Sequence, residues 1–161
     1  MKWMVICAAV LAGCGASGPE GASVIRDAAS PISSMAAMEG ARFAGDWVIV
    51  AAFENGEMGK AGDRVTIGAQ GDAYSMQIAR AGNVPLTRTG AGRFVQSKPK
   101  REFWVLWVDA DYRTAVIGSP FNQLGWIMDR TASGASDRVA AAREILDWNG
   151  YDLRQLTPLT P

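Results

Sequence analysis

Glu102-Phe103-Trp104-Val105-Leu106-Trp107-Val108-Asp109-Ala110-Asp111-Tyr112 is the stretch that decides the fold of this chain. Side chains alternate across a strand, so Phe103, Val105 and Trp107 share one face while Trp104, Leu106 and Val108 share the other. Both faces are apolar, which predicts a strand covered on both sides. The paired carboxylates and tyrosine that follow read as a turn, and Lys98 to Arg101 before it reads as a charged turn.

Outward from this strand the sequence predicts an all-β meander of short strands separated by turn signals. Asp46 to Phe53 is followed by Glu54-Asn55-Gly56, Arg64 to Ala69 by Gln70-Gly71-Asp72, and Ala73 to Ala79 by Ala81-Gly82-Asn83. In the third, Tyr74, Met76 and Ile78 point one way and Ala73, Ser75 and Gln77 the other. Leu86 to Gln96 reads as a fourth stretch bent at Gly90 and Gly92. After Tyr112 come Arg113 to Gly118, Ser119-Pro120, and Leu124 to Arg130. Ser136 is placed to cap a helix that Asn149-Gly150 ends, with Asp137 matching its dipole. Val139, Ala142, Ile145 and Leu146 form its apolar stripe. The helix is expected outside the sheet, over Trp104, Leu106 and Val108.

The N-terminus carries a separate signal. Lys2 precedes a short apolar run from Trp3 to Leu11, too short to span a bilayer, and Leu11-Ala12-Gly13-Cys14 follows. The order of Leu, a small residue, Gly and Cys resembles the bacterial lipobox. That resemblance implies cleavage of residues 1–13, loss of Cys7 with the leader, and lipidation of Cys14 as the new N-terminus. The alternative is an ordinary secretory leader with a cysteine near the cut. Several acyl chains anchor durably, since each buried methylene contributes about 0.8 kcal/mol. Gly15 in place of Asp suggests the periplasmic side of the outer membrane in a bacterial cell envelope. From there to residue 40, Ala, Gly and Ser with Pro19 and Pro31 read as a tether, with a marginal helical piece near Ser33 to Met38. Residues 41–161 then form the folded domain.

Composition excludes much chemistry. The chain has 16 basic and 16 acidic residues and no histidine. Without Lys2 the charge is about −1, 15 basic against 16 acidic, with no basic run to favour nucleic acid. Histidine-based triads, general bases and imidazole metal sites are excluded. The sequence therefore predicts no catalytic residue, no metal and no cofactor. With Cys7 gone no disulfide can form, so burial must supply the stability. Asp109 and Asp111 could bind calcium or act as acid and base, but capping their own turn is the simpler role. Glu54 and Glu57 read as a solvated loop, and Arg26, Arg64 and Arg80 as isolated charges.

Strands followed by one late helix meet a family pattern. Phe43-Ala44-Gly45-Asp46-Trp47, Val108-Asp109-Ala110-Asp111-Tyr112 and Trp126-Ile127-Met128-Asp129-Arg130-Thr131 resemble, in order, three lipocalin motifs. Asn149-Gly150-Tyr151-Asp152-Leu153 is similar to the tail of the bacterial outer-membrane lipoprotein lipocalins and their plant relatives. The resemblance implies an antiparallel up-and-down barrel of seven to eight strands with one helix packed outside. Between Gly92 and Asp109 the chain is shorter than the family's pattern, which leaves seven clear strands where eight are expected, so one is expected to be missing or very short and the barrel partly open. Val48 and Ile49 also stand where the family favours Tyr and Glu.

Under this resemblance Gly45, Trp47, Asp109, Asp111, Tyr112 and Arg130 close one end of the barrel. An arginine across an indole supplies cation–π attraction and donors for nearby carbonyls. Alternation from that plug predicts an inward face of Ile49, Ala51, Phe53, Trp126 and Met128, joined by Tyr74, Met76, Ile78, Phe103, Val105 and Trp107. Such a lining suits a small hydrophobic molecule, a fatty acid or lysophospholipid as the resemblance implies. A barrel of about eight strands can equally be filled by its own side chains. A protein-binding envelope module with a filled core is therefore the alternative, and a homodimer is a further partner state to consider.

Overall fold

The computed structural model describes residues 24–53, 58–71, 73–121 and 124–160. The leader, Cys7, Cys14, the Glu54-Asn55-Gly56 turn, Glu57 and Asp72 lie outside the described residues.

Eight strands run in sequence: β1 Gly45–Phe53, β2 Arg64–Gln70, β3 Ala73–Ile78, β4 Gly82–Gly90, β5 Arg93–Gln96, β6 Arg101–Val108, β7 Thr114–Gly118 and β8 Gly125–Asp129. Each pairs antiparallel with the next, β8 pairs with β1, and β1 pairs with β2, which closes the barrel. A short helix α1, Gly40–Phe43, precedes β1, and α2, Ser136–Trp148, follows β8. A last strand, β9 Leu156–Pro158, adds to the end of β1.

The strand that sequence reading found missing lies inside the stretch from Leu86 to Gln96. It is a hairpin, β4 and β5, with Thr87 opposite Val95 and Arg88 opposite Phe94. The glycines mark a reversal of the chain, so the expectation of a partly open barrel is corrected to a closed one.

Two bulges correct four further expectations. Ile49 faces Met128 while Ala51 faces Ile127, so β1 carries one extra residue there; Val105 faces Ile117 while Trp107 faces Val116, with the same effect on β6. An extra residue inverts the alternation beyond it. Ala51 and Phe53 therefore point out of the barrel, and Ala52 takes the inward place. Trp107 likewise points outward while Val108 points in.

The two faces thus hold two cores. The inner one is the lumen. The outer one, with Leu106, Val116, Ile127, Ala142 and Leu146, seats α2 on β6, β7 and β8. Ser136 is the first helical residue rather than the cap; Ala135 occupies the cap position and makes no side-chain bond. Phe53 stacks on Tyr151 at 5.3 Å between centroids, joining β1 to the chain after the helix.

From Val24 onward the expected tether is a packed strap. Ile25 is buried, Arg26 bridges to Tyr151, and Met35 N donates to Val105 O at the β6 bulge. Its apolar contacts come singly, so no period announced them, and Ser33 to Met38 forms no helix. Arg26 is not isolated: it is 2% exposed and donates to the carbonyls of Asn149, Pro120 and Ser30. Arg80 pairs with Asp63 at 3.3 Å.

Candidate ligand site in the barrel

One end of the barrel is sealed by chemistry the motifs share. The Arg130 guanidinium lies 3.7 Å from the Trp47 ring centroid and donates to the carbonyls of Tyr112, Asp46, Arg42 and Ala44. Burial pulls its pKa below the usual arginine value, against the pull of Asp46 and Asp129. Trp47 Nε1 donates to Phe43 O at 3.0 Å, which fixes α1 across the same end. Gly45 has a φ of 98°, and a Cβ there would stand 3.3 Å from Arg130 Nη1, so glycine meets both backbone and space requirements.

Asp109 organises the adjoining turn. Its carboxylate accepts from the backbone N–H groups of Asp111, Arg113 and Thr114 at 3.3, 2.6 and 2.5 Å. Asp111 instead pairs with Arg113 at 2.7 Å. The turn leaves Tyr112 at φ 57°, with its hydroxyl accepting from Glu39 N and Arg42 over its ring.

Asp129, inside the Trp126–Thr131 motif, is a structural support whose role sequence reading did not single out. It is fully buried and accepts from Thr114 Oγ1 at 2.6 Å, Arg138 Nη2 at 3.1 Å and Thr131. Burial pushes its pKa up, yet these donors outweigh burial and hold it below the ordinary carboxylate value. The network ties α2 to the barrel wall.

Of the predicted lining, Ile49, Tyr74, Met76, Ile78, Phe103, Val105, Trp126 and Met128 meet inside the barrel. Val65, Ile67, Val84, Leu86, Phe94 and Ile117 join them. Alternation within β2 and β4 carried the signal for several of these, once β4 is read as a strand of its own. Among the described residues the lumen is apolar and nearly full: the space enclosed by Phe43, Tyr74, Phe94 and their neighbours is about 20 Å³, room for about one water molecule. Roomier hollows, of about 430 and 350 Å³, are open to solvent, the first at the β2–β3 turn and the second between the end of β1, Lys60-Ala61 and β9.

The opposite end, the mouth, is plugged by Met58 and Leu124, both buried. Gly59 holds the backbone of the β1–β2 connection inside the mouth: its φ is 60°, and a Cβ would stand 2.6 Å from Ile49 Cδ1 and 3.5 Å from Trp126 Cε3. Two polar atoms in this half are buried without a hydrogen-bond partner, Trp126 Nε1 and Gln96 Oε1. Trp126 opens β8 beside Gly125, and Gln96 ends β5 on the same face as Phe94. Leaving such a group unpaired costs about 1–3 kcal/mol. Among the described residues no cluster of candidate ligands could hold a metal ion.

A closed antiparallel barrel, an arginine-capped tryptophan plug and an outer helix after the last barrel strand are now in place, and residues 68–161 match the family model described as a lipocalin-like domain. The chain belongs to the lipocalin family. Over 55 residues it is 36% identical to temperature-induced lipocalin-1 of Arabidopsis thaliana, a match spanning 34% of this chain and 30% of that protein. Apocrustacyanin C1 shares its fold at a TM-score of 0.56 and 15% identity, over 74% of this chain and 77% of that one. The siderocalin Ex-FABP, described as having dual ligand specificities, shares it at 0.54 and 17% identity, over 74% and 95%. These likenesses establish a lipocalin fold.

Proposed function

We propose that this lipocalin binds a small hydrophobic molecule with one polar end, a fatty acid or lysophospholipid, in the mouth half of its barrel. The observation that carries this reading is the pair of unpartnered atoms: a donor, Trp126 Nε1, and an acceptor, Gln96 Oε1, in an otherwise apolar lumen. A carboxylate or ester oxygen suits the first, and a hydroxyl or protonated carboxyl suits the second. Entry requires Met58 and Leu124 to turn aside, and methionine changes rotamer at low cost. The reading is binding rather than catalysis.

The same proposal places the protein among the bacterial outer-membrane lipoprotein lipocalins, with lipid on Cys14 holding it at the periplasmic face of the outer membrane. Support comes from Leu11-Ala12-Gly13-Cys14, from Gly15, and from the Asn149 to Leu153 tail. Carriage, storage or membrane maintenance follows from that address. A second reading, a filled barrel that binds a protein partner, draws on the small size of the enclosed space.

Native mass spectrometry of the chain purified from its own envelope separates the two. A stoichiometric fatty acid or lysolipid supports carriage and names the cargo. A clean apo mass that takes up no added lipid favours the filled-barrel module.

A further inference from the structure

Among the described residues three large apolar side chains stand in solvent: Val24 at 63%, Phe121 at 53% and Trp148 at 81% exposure. Single exposed apolar residues need no explanation. These three adjoin one buried hub. Arg26 donates from Nε to Asn149 O at 2.8 Å, next to Trp148, and from Nη1 to Pro120 O at 3.2 Å, next to Phe121. Val24 lies two residues before Arg26, and its carbonyl accepts from Gln155 Nε2 at 2.9 Å. Arg26 therefore gathers the strap, the β7–β8 connection and the end of α2 onto one side of the barrel.

That side borders the mouth. The Tyr151 hydroxyl accepts from Ser119 N at 2.8 Å and reaches Leu124 O at 3.0 Å, so the mouth plug is bonded to the same group of segments. Burial pushes the Tyr151 hydroxyl up to about 12, which keeps it protonated at any physiological pH. Beside Trp148, a groove of about 230 Å³ runs over Leu106 between Ile32 and Ile145.

We infer that this side docks on a phospholipid bilayer, with Trp148, Phe121 and Val24 in the interfacial layer and the mouth turned to the membrane. Tryptophan favours that layer, having an apolar ring and a polar N–H. The described chain starts at Val24 on this side, and Cys14 stands before it by a stretch reaching at most about 36 Å, at about 3.3–3.6 Å per residue. The inference thus rests on the lipid anchor proposed above. Charge around the patch does not favour anionic headgroups: Asp27 and Asp147 are acidic, and Arg154 is paired with Asp152 at 2.8 Å. Docking is by apolar insertion and insensitive to salt. It lets cargo pass between bilayer and barrel without crossing water.

The test uses the protein in its lipidated form, reconstituted into phosphatidylethanolamine–phosphatidylglycerol vesicles with or without brominated acyl chains, which quench indoles they touch. The expected result is flotation with the vesicles and a bromine-dependent loss of about one fifth of the total indole emission, Trp148 being one of the five tryptophans after residue 13, unchanged in high salt. Trp148→Phe keeps the apolar contact and loses most of the quenching. Protein that floats with equal emission on both vesicles is anchored but not docked, which overturns the inference and spares the anchor. Protein that does not float overturns both. Quenching by a chain whose mass shows no acyl groups supports docking and sinks the anchor. A concentration-dependent dimer that shields Trp148 without vesicles overturns docking in favour of a second copy.

Discussion

Replacing Gln96 by methionine should stabilise the protein while weakening its hold on ligand. Gln96 is 8% exposed and faces the mouth half of the lumen; its Nε2 donates to Lys98 O at 3.2 Å, while its Oε1 has no partner. Methionine has nearly the same length and volume. The substitution loses one neutral hydrogen bond, about 0.5–1.5 kcal/mol, and removes an unpaired buried carbonyl that costs about 1–3 kcal/mol. The balance runs from about 0.5 kcal/mol less stable to about 2.5 kcal/mol more stable, centred near about 1 kcal/mol of stabilisation, whereas an average point mutation destabilises by about 1 kcal/mol. Urea unfolding reads the first half, as a midpoint that rises with the slope unchanged. Titration with a fatty acid or lysophospholipid reads the second: loss of about 1 kcal/mol at the headgroup weakens binding about fivefold. A variant destabilised by more than about 1 kcal/mol with ligand affinity intact would refute both the orphan carbonyl and its role in binding.

Asp129→Ala should destabilise by about 3–5 kcal/mol, because Arg138 loses a fully buried partner at 3.1 Å; chemical denaturation measures it. The native Asp129 pKa is depressed, so its contribution is complete above the unfolded value of about 4 and fades as pH falls through the folded one. The midpoint of Asp129→Asn should accordingly vary less than wild type between about pH 5 and pH 2. Arg130→Lys keeps the charge but not the planar fork that serves four carbonyls and the Trp47 ring, so thermal unfolding should show a loss of about 1–3 kcal/mol. Leu124→Ala should cost about 2–5 kcal/mol in urea and yet bind added lipid more tightly than wild type, since the mouth plug is gone.

The sequence carried the architecture well where motifs and periodicity agreed. Trp47, Arg130 and Asp109 lie where the family pattern and cation–π chemistry imply, and α2 spans the stretch marked by its apolar stripe. It carried the inward face only as far as the first irregularity. Alternation from Trp47 is right through Ile49 and fails at Ala51 and Phe53, and alternation from Phe103 is right through Val105 and fails at Trp107. Nothing in Val48-Ile49-Val50 or Val105-Leu106-Trp107 marks a bulge, because all six residues suit either face. Bulges are set by tertiary demands: Val105 O accepts from Met35 N and Val105 N donates to Gly92 O, so this strand bonds to partners remote in sequence just where its ladder shifts. The packed strap was hidden for a related reason, its contacts being long-range and singly spaced.

The near-full lumen and the proposed cargo are reconciled by the energetics of the mouth. Exposing the buried Met58 and Leu124 side chains costs about 1.5–3 kcal/mol each, so an open state lies about 3–6 kcal/mol above the closed one. Such a state is populated at about one part in 160 to about one in 25,000, and the apparent affinity is weaker than the intrinsic one by that factor. An acyl chain can offset this, since each methylene removed from water contributes about 0.8 kcal/mol. About eight buried methylenes would cover even the upper estimate, fewer than a long fatty acid offers. Selection by chain length follows from the plug itself: short acids cannot meet the cost of opening and long ones can. Docking at a bilayer lowers the cost further, because Leu124 would then turn toward lipid instead of water.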